Sequence, residues 1–144
     1  GKHLYAINEL GGTITGFDYD PHTAALVERQ TISTLPEDYR GKNACADVRI
    51  TPNGRFLYGT NRGHDSIAGY RVGSDGRLAL LAITPSQGQE PQNLAITPGG
   101  DLLLCANLAG NSVVVFRINP DTGHLSLAGP PISVLSPSCI RLLF

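Results

Sequence analysis

Two side chains of opposite charge hold one place in a recurring segment, and that pairing could do acid–base chemistry. Leu4-Tyr5-Ala6-Ile7-Asn8 runs into Glu9, Leu57-Tyr58-Gly59-Thr60-Asn61 into Arg62, and Leu103-Leu104-Cys105-Ala106-Asn107 into Leu108. A carboxylate such as Glu9 can orient or deprotonate a water. The guanidinium of Arg62 presents a planar fork of donors suited to a carboxylate, a phosphate or a developing oxyanion. His64, two residues beyond Arg62, could shuttle a proton. Variation at an otherwise repeated position is what a site grafted on a scaffold gives, and surface drift gives it too. The asparagines at 8, 61 and 107 admit two readings. Asn8 and Asn61 could contact a substrate, or, as the recurrence favours, they cap the loop after each strand.

Asp47 and Gln92 stand at the starts of other repeat segments and complete the candidate binding set. Asp47 could pair with Arg62 or hold a turn, with the structural role favoured. His64-Asp65-Ser66 is no triad, because adjacent residues of a strand point to opposite faces and no nucleophile elbow accompanies them. His3, His22 and His124 have no partners in sequence and read as surface residues. No Cys/His spacing suggests zinc, and no metal or cofactor is expected. Three cysteines are too few and odd in number for a disulfide framework. Cys105 lies in a strand pattern and reads as a small buried hydrophobe.

The elements that must carry these residues repeat as well. Tyr58 follows Tyr5 by 53 residues and Leu104 follows Tyr58 by 46; Phe17, Tyr70 and Phe116 keep the same offsets. Thr51-Pro52-Asn53-Gly54 returns as Thr97-Pro98-Gly99-Gly100. A period in the forties built from short strands marks propeller blades. Each repeat reads as four strands, A to D. Strand A is Asp47–Thr51 or Asn93–Thr97, and strand B is Phe56–Thr60 or Leu102–Ala106. Strand C is Ile14–Tyr19, Ile67–Val72 or Val113–Ile118, and strand D lies near Leu26, Leu78 and Leu125. Strand B ends and strand A starts fall on one side of an up-and-down blade. That side gathers Asn8, Glu9, Asn61, Arg62, His64, Asp47 and Gln92. The first spacing is longer because of a polar insertion at Leu35–Asn43, and insertions in repeats fall in loops, often on the binding face.

The predicted fold class is all-β, with β-propeller blades of four antiparallel strands. Residues 1–144 read as one partial propeller domain, BCD-ABCD-ABCD-A, equivalent to about three blades. The last strand A, Cys139–Leu142, could complete a blade that lacks one. Propellers close with about four to eight blades, so the chain is expected to be the C-terminal portion of a larger ring. Its open blade faces should make the isolated chain self-associate. A net charge of −1 gives no field of one sign to recruit nucleic acid, and no apolar run approaches a membrane span. Neither partner is expected, and a cytoplasmic location is.

The run from Ala46-Asp47-Val48-Arg49-Ile50-Thr51-Pro52-Asn53-Gly54-Arg55-Phe56-Leu57-Tyr58 into Thr60-Asn61-Arg62-Gly63-His64-Asp65-Ser66-Ile67 resembles the lactonase family of seven-bladed propellers. That family includes propeller-type 6-phosphogluconolactonases and carboxy-muconate lactonizing enzymes. Tyr5–Leu10, Leu35-Pro36-Glu37, Asn119–Leu125 and Pro137–Ile140 resemble further segments of it, so the likeness spans essentially the whole chain. The resemblance implies a seven-bladed ring and a metal-free enzyme acting on a small anionic lactone. It implies catalytic roles for Glu9 and Arg62, with His64 a further candidate. Hydrolysis of a sugar-phosphate lactone is the leading expectation. Muconate cycloisomerisation and a non-enzymatic binding propeller are the alternatives. Where the family often carries Pro-Arg at the start of strand A, this chain has Pro91-Gln92.

Overall fold

The computed structural model of the chain describes residues 2–143. All its regular elements are strands, in three antiparallel sheets. The first sheet holds β1 (His3–Asn8), β2 (Thr13–Tyr19) and β3 (Leu26–Ser33) in that order. The second holds β4 (Ala44–Ile50), β5 (Phe56–Arg62), β6 (Ser66–Val72) and β7 (Leu78–Pro85). The third holds β8 (Pro91–Ile96), β9 (Leu102–Asn107), β10 (Ser112–Ile118) and β11 (Leu125–Leu127), with β12 (Ile132–Ser133) as another partner of β10. The A-to-D order predicted from the repeat is the order observed. Residues 35–43 form a connection between the first two blades, as their polar composition required. No helix among the described residues is long and apolar enough to cross a membrane.

The repeat dictates how the blades pack. Tyr5 lies opposite Gly16 and Tyr58 opposite Gly69. A methyl group on either glycine would come within 3.3 Å of the facing ring. In the third blade Leu104 replaces the tyrosine and Val115 the glycine, so the bulk moves from one strand to its neighbour. Each tyrosine hydroxyl donates into the next blade, Tyr5 to the Gly76 carbonyl at 2.6 Å and Tyr58 to that of Gly123 at 2.7 Å. Both turn glycines have φ +77°, a conformation open to glycine at no steric cost.

Side chains alternate along β5 with the period of two that a strand imposes. Phe56 and Tyr58 enter a cluster with Leu94, Leu103, Val114 and Phe116 of the third blade. Leu57, between them, joins Ile14 and Tyr70 toward the first. The middle blade is therefore covered on both faces, and β5 is buried from Phe56 to Asn61. Cys105 is fully buried in the same core.

Two expectations are corrected here. Cys139–Leu142 forms no strand, because its backbone makes no ladder with any described strand. It lies along β8 instead, where Ile140 N–H donates to Asn93 Oδ1 at 2.7 Å. His3 is not a lone surface histidine: its Nδ1 meets Asp18 Oδ1 at 3.1 Å across the β1–β2 pair. One departure was not foreseen. The outer strand of the third blade is split, since Pro130 and Pro131 have no N–H for the ladder. So β11 pairs with one end of β10 and β12 with the other.

Candidate active site

Glu9 and Arg62 leave equivalent strands of adjacent blades, and the structure brings them together. Arg62 Nη2 donates to Glu9 Oε1 at 2.7 Å and to the Cys45 carbonyl at 3.2 Å. Its Nε donates to the Ala44 carbonyl at 3.2 Å, and its Nη1 to Gln92 Oε1 at 3.2 Å. Three blades thus converge on one guanidinium: Glu9 from the first, two β4 carbonyls from the second, Gln92 from the third. Among the described residues four of its five N–H groups are engaged, and one at Nη1 remains. The Glu9 side chain is 65% exposed and that of Arg62 23%. An ion pair this open is worth about 0–1 kcal/mol, so it fixes geometry more than it stabilises the fold. Behind it, burial pushes the Cys45 thiol up from its ordinary pKa.

These two residues line an open cleft of about 380 Å³ together with Lys42, Asn43, Ala44, Gly63 and Glu90. Lys42 and Glu90 were not foreseen from sequence. Lys42 closes the insertion after β3, and Glu90 precedes β8, where no repeat partner drew attention to it. A carboxylate next to Pro91 at the start of a strand A was the available signal.

The remaining candidates lie elsewhere. Asn61 is fully buried and its amide is consumed by the fold. Its Nδ2 donates to the Thr34 carbonyl and Ser66 Oγ, and its Oδ1 accepts from Thr34 Oγ1 and Asn43 Nδ2. Asn107 repeats the first of these bonds, donating to the Ser86 carbonyl. Asn8 Nδ2 donates to Thr13 and Thr15 hydroxyls at 2.9 Å. Neither Asn8 nor Asn61 lines the cleft, so the structural reading of these asparagines replaces substrate contact.

Asp47 does not pair with Arg62. Its Oδ2 accepts from Asn93 Nδ2 at 2.7 Å, from Leu94 N–H at 2.8 Å and from Arg49 Nε at 3.2 Å. The Asn93–Ile140 bond is the same tie one repeat later. A bulge between Cys45 and Val48 sets Asp47 toward the third blade, away from the cleft. His64 also misses the cleft. Its Nδ1 meets Ser66 Oγ at 2.7 Å, and its ring packs nearly perpendicular to that of Tyr39, 4.7 Å between centroids. Its backbone N–H donates to Asn43 Oδ1. His64 thereby anchors the insertion that delivers Lys42. Among the described residues no group of three or more His, Cys, Asp or Glu side chains is arranged to hold a metal.

A mouth of charged side chains on successive antiparallel blades invites comparison with known propellers. The model of a family described as a seven-bladed β-propeller lactonase matches residues 1–142. The chain belongs to that lactonase family. It is 31% identical over 143 residues to a 6-phosphogluconolactonase of Bacillus subtilis, covering 99% of this chain and 41% of that one. A crystal structure of a Lactobacillus plantarum protein superposes with a TM-score of 0.97 at 28% identity, over 100% of this chain and 42% of its own. The periplasmic gluconolactonase of Pseudomonas aeruginosa superposes with a TM-score of 0.92 at 29% identity, over 98% and 39%. The chain spans about two-fifths of the length of the curated relatives it matches.

Proposed function

We propose that these blades form part of a seven-bladed ring that hydrolyses a small sugar lactone of the 6-phosphogluconolactone type, with Arg62 and Glu9 at the reacting centre. The observation that carries this reading is the Glu9–Arg62 pair, held at the mouth by contributions from three blades. The names of the B. subtilis relative and the P. aeruginosa neighbour support it, since both are lactonases.

The chemistry follows from the donors that remain. The open Nη1 N–H of Arg62 points its charge at the lactone carbonyl oxygen, where negative charge develops as water adds. Glu9 uses one oxygen on Arg62 and keeps the other for the attacking water. Water oxygen bonds to the carbonyl carbon while its proton passes to Glu9. The tetrahedral oxyanion then collapses and the ring C–O bond breaks. The departing alkoxide recovers the proton from Glu9, leaving the open hydroxy acid and the enzyme as it began.

The test is hydrolysis of 6-phosphogluconolactone by the full-length protein, measured above the spontaneous rate, with Arg62→Ala and Glu9→Gln alongside. Losing an oxyanion donor costs about 10²–10³ in kcat, so Arg62→Ala should fall by about two orders of magnitude or more and Glu9→Gln by about one or more. Wild-type rates in both variants would remove these residues from the mechanism.

A further inference from the structure

Lys42 closes the insertion between the first two blades, and its neighbours fix the chain at that point. Tyr39 Oη donates to the Lys42 carbonyl at 2.9 Å. Asn43 Nδ2 donates to the buried Asn61 Oδ1 at 3.2 Å, and Asn43 Oδ1 accepts from His64 N–H at 3.3 Å. The Lys42 carbonyl packs on Gly63, which has φ +111° and where a Cβ would collide with the Lys42 oxygen. Only a residue without a side chain lets the two backbones approach this closely. Ala44 pairs with Arg62 across β4 and β5. Lys42 lies two residues before Ala44, the spacing that returns a side chain to the same face of an extended chain. Both cations accordingly line the cleft.

The two cations differ in what they are bound to. Arg62 is paired with Glu9 at 2.7 Å and has one N–H to spare. Lys42 is exposed, and among the described residues its ammonium makes no hydrogen bond or ion pair. Glu90, the other carboxylate of the cleft, does not neutralise it. Its φ is +53°, its N–H donates to Asp65 Oδ1 at 2.9 Å, and its carbonyl accepts from Leu108 N–H at 2.9 Å. Clamped there, it forms no ion pair with Lys42. The cleft thus keeps a cation whose charge the fold does not use.

Lactone hydrolysis creates a charge that the lactone carbonyl lacks. Water adds, the ring C–O bond breaks, and the carboxylic acid so formed gives its proton to solvent, since it is ionised at neutral pH. The new carboxylate forms beside Glu9, which repels it. Arg62 can offer it only the one spare N–H without releasing Glu9 or Gln92. We infer, on the lactonase reading above, that Lys42 is a product-binding residue whose ammonium takes the carboxylate of the ring-opened hydroxy acid. The role is the same for any lactone, because every one yields a carboxylate on opening. An ion pair at about 4 Å is worth about fivefold in affinity even at the dielectric of water, and more in a cleft.

The experiment measures KM for 6-phosphogluconolactone and the inhibition constant of 6-phosphogluconate in the full-length protein. The variants are Lys42→Gln, Lys42→Arg and Lys2→Gln, the last a charge control outside the cleft. Substrate and product differ at the opened carboxylate and share the phosphate, so the ratio of inhibition constant to KM isolates the carboxylate. Lys42→Gln should raise that ratio about fivefold or more. Lys42→Arg, which keeps the charge, should stay nearer to wild type, and Lys2→Gln should not move it. A ratio unchanged in Lys42→Gln, or raised equally by Lys42→Arg or Lys2→Gln, would overturn the inference while leaving turnover, and so the lactonase reading, intact. If the full-length protein turns over no lactone, the lactonase reading fails, and calorimetric titration with gluconate decides the inference. Binding weakened about fivefold or more by Lys42→Gln upholds it; binding equal in both proteins, or absent from wild type, sinks it.

Discussion

Asp47 was a candidate for substrate binding, and the structure makes it a tie between blades; a pair of substitutions separates the two roles. Asp47→Ala removes the acceptor for Leu94 N–H, a group belonging to a fully buried residue. An unmet buried donor costs about 1–3 kcal/mol, and a lost hydrogen bond to a charged acceptor about 1.5–3 kcal/mol. The Arg49 contact is part-exposed and adds at most about 1 kcal/mol. Asp47→Ala should therefore destabilise by about 3–5 kcal/mol. Asp47→Asn keeps one oxygen but turns an amide toward groups that donate, and should cost about 1–3 kcal/mol. Asn93 shows that an amide oxygen can hold a single-donor version of this tie. The assay is urea unfolding followed by circular dichroism, with lactone KM measured well below the transition. Two results would refute the reasoning. One is a loss under about 1 kcal/mol for Asp47→Ala, which is less than a single unmet buried donor costs. The other is an unchanged stability with a much raised KM in Asp47→Asn, which would return the carboxylate to the substrate.

Three further outcomes are expected. His64→Gln should leave kcat within about threefold of wild type, a loss far smaller than that of a general acid or base, yet speed proteolysis of residues 35–43. A loss of kcat equal to that of Arg62→Ala would place the imidazole in the chemistry. At mildly alkaline pH a thiol reagent should modify Cys139 in the native protein and spare Cys45 and Cys105, which are buried. Burial pushes the Cys105 pKa from 9.0 up to about 12, so the folded state keeps a proton that the unfolded chain releases. Stability from this group is full below pH 9.0 and falls as pH rises toward 12. Cys105→Ala should flatten part of that fall; an unchanged alkaline profile would show that the thiol plays no part in it.

The strands and their order were legible because Leu-Tyr-x-x-Asn and Thr-Pro-x-Gly recur in register, and a repeated local pattern forces a repeated local structure. The meeting of Glu9 and Arg62 was legible for the same reason: equivalent positions of adjacent blades are neighbours at the mouth. The tie from Asp47 to Leu94 was not, since it crosses between blades and depends on a bulge that no single segment encodes. His64 misled because the chain position that puts it near Arg62 says nothing of the turn that swings its ring onto Tyr39. Glu90 was missed because its conformation is imposed by Asp65 and Leu108, which lie far from it in sequence. Cys139–Leu142 carries a strand pattern, but a strand is a relation between two segments, and no described segment pairs its backbone with this one.

The outer strands of the three blades are protected unequally. Charged Glu28 and Arg29 sit on β3, and Pro130-Pro131 interrupts the rim of the third blade. Between them β7 reads Leu-Ala-Leu-Leu-Ala-Ile-Thr-Pro, with no charge and no proline until its last residue, and Leu80 is 47% exposed. A long uncharged edge with free backbone groups is a template for pairing with another chain. A second copy pairing edge to edge would engage this molecule at its rim, by way of β7, and leave the mouth with its charged side chains free.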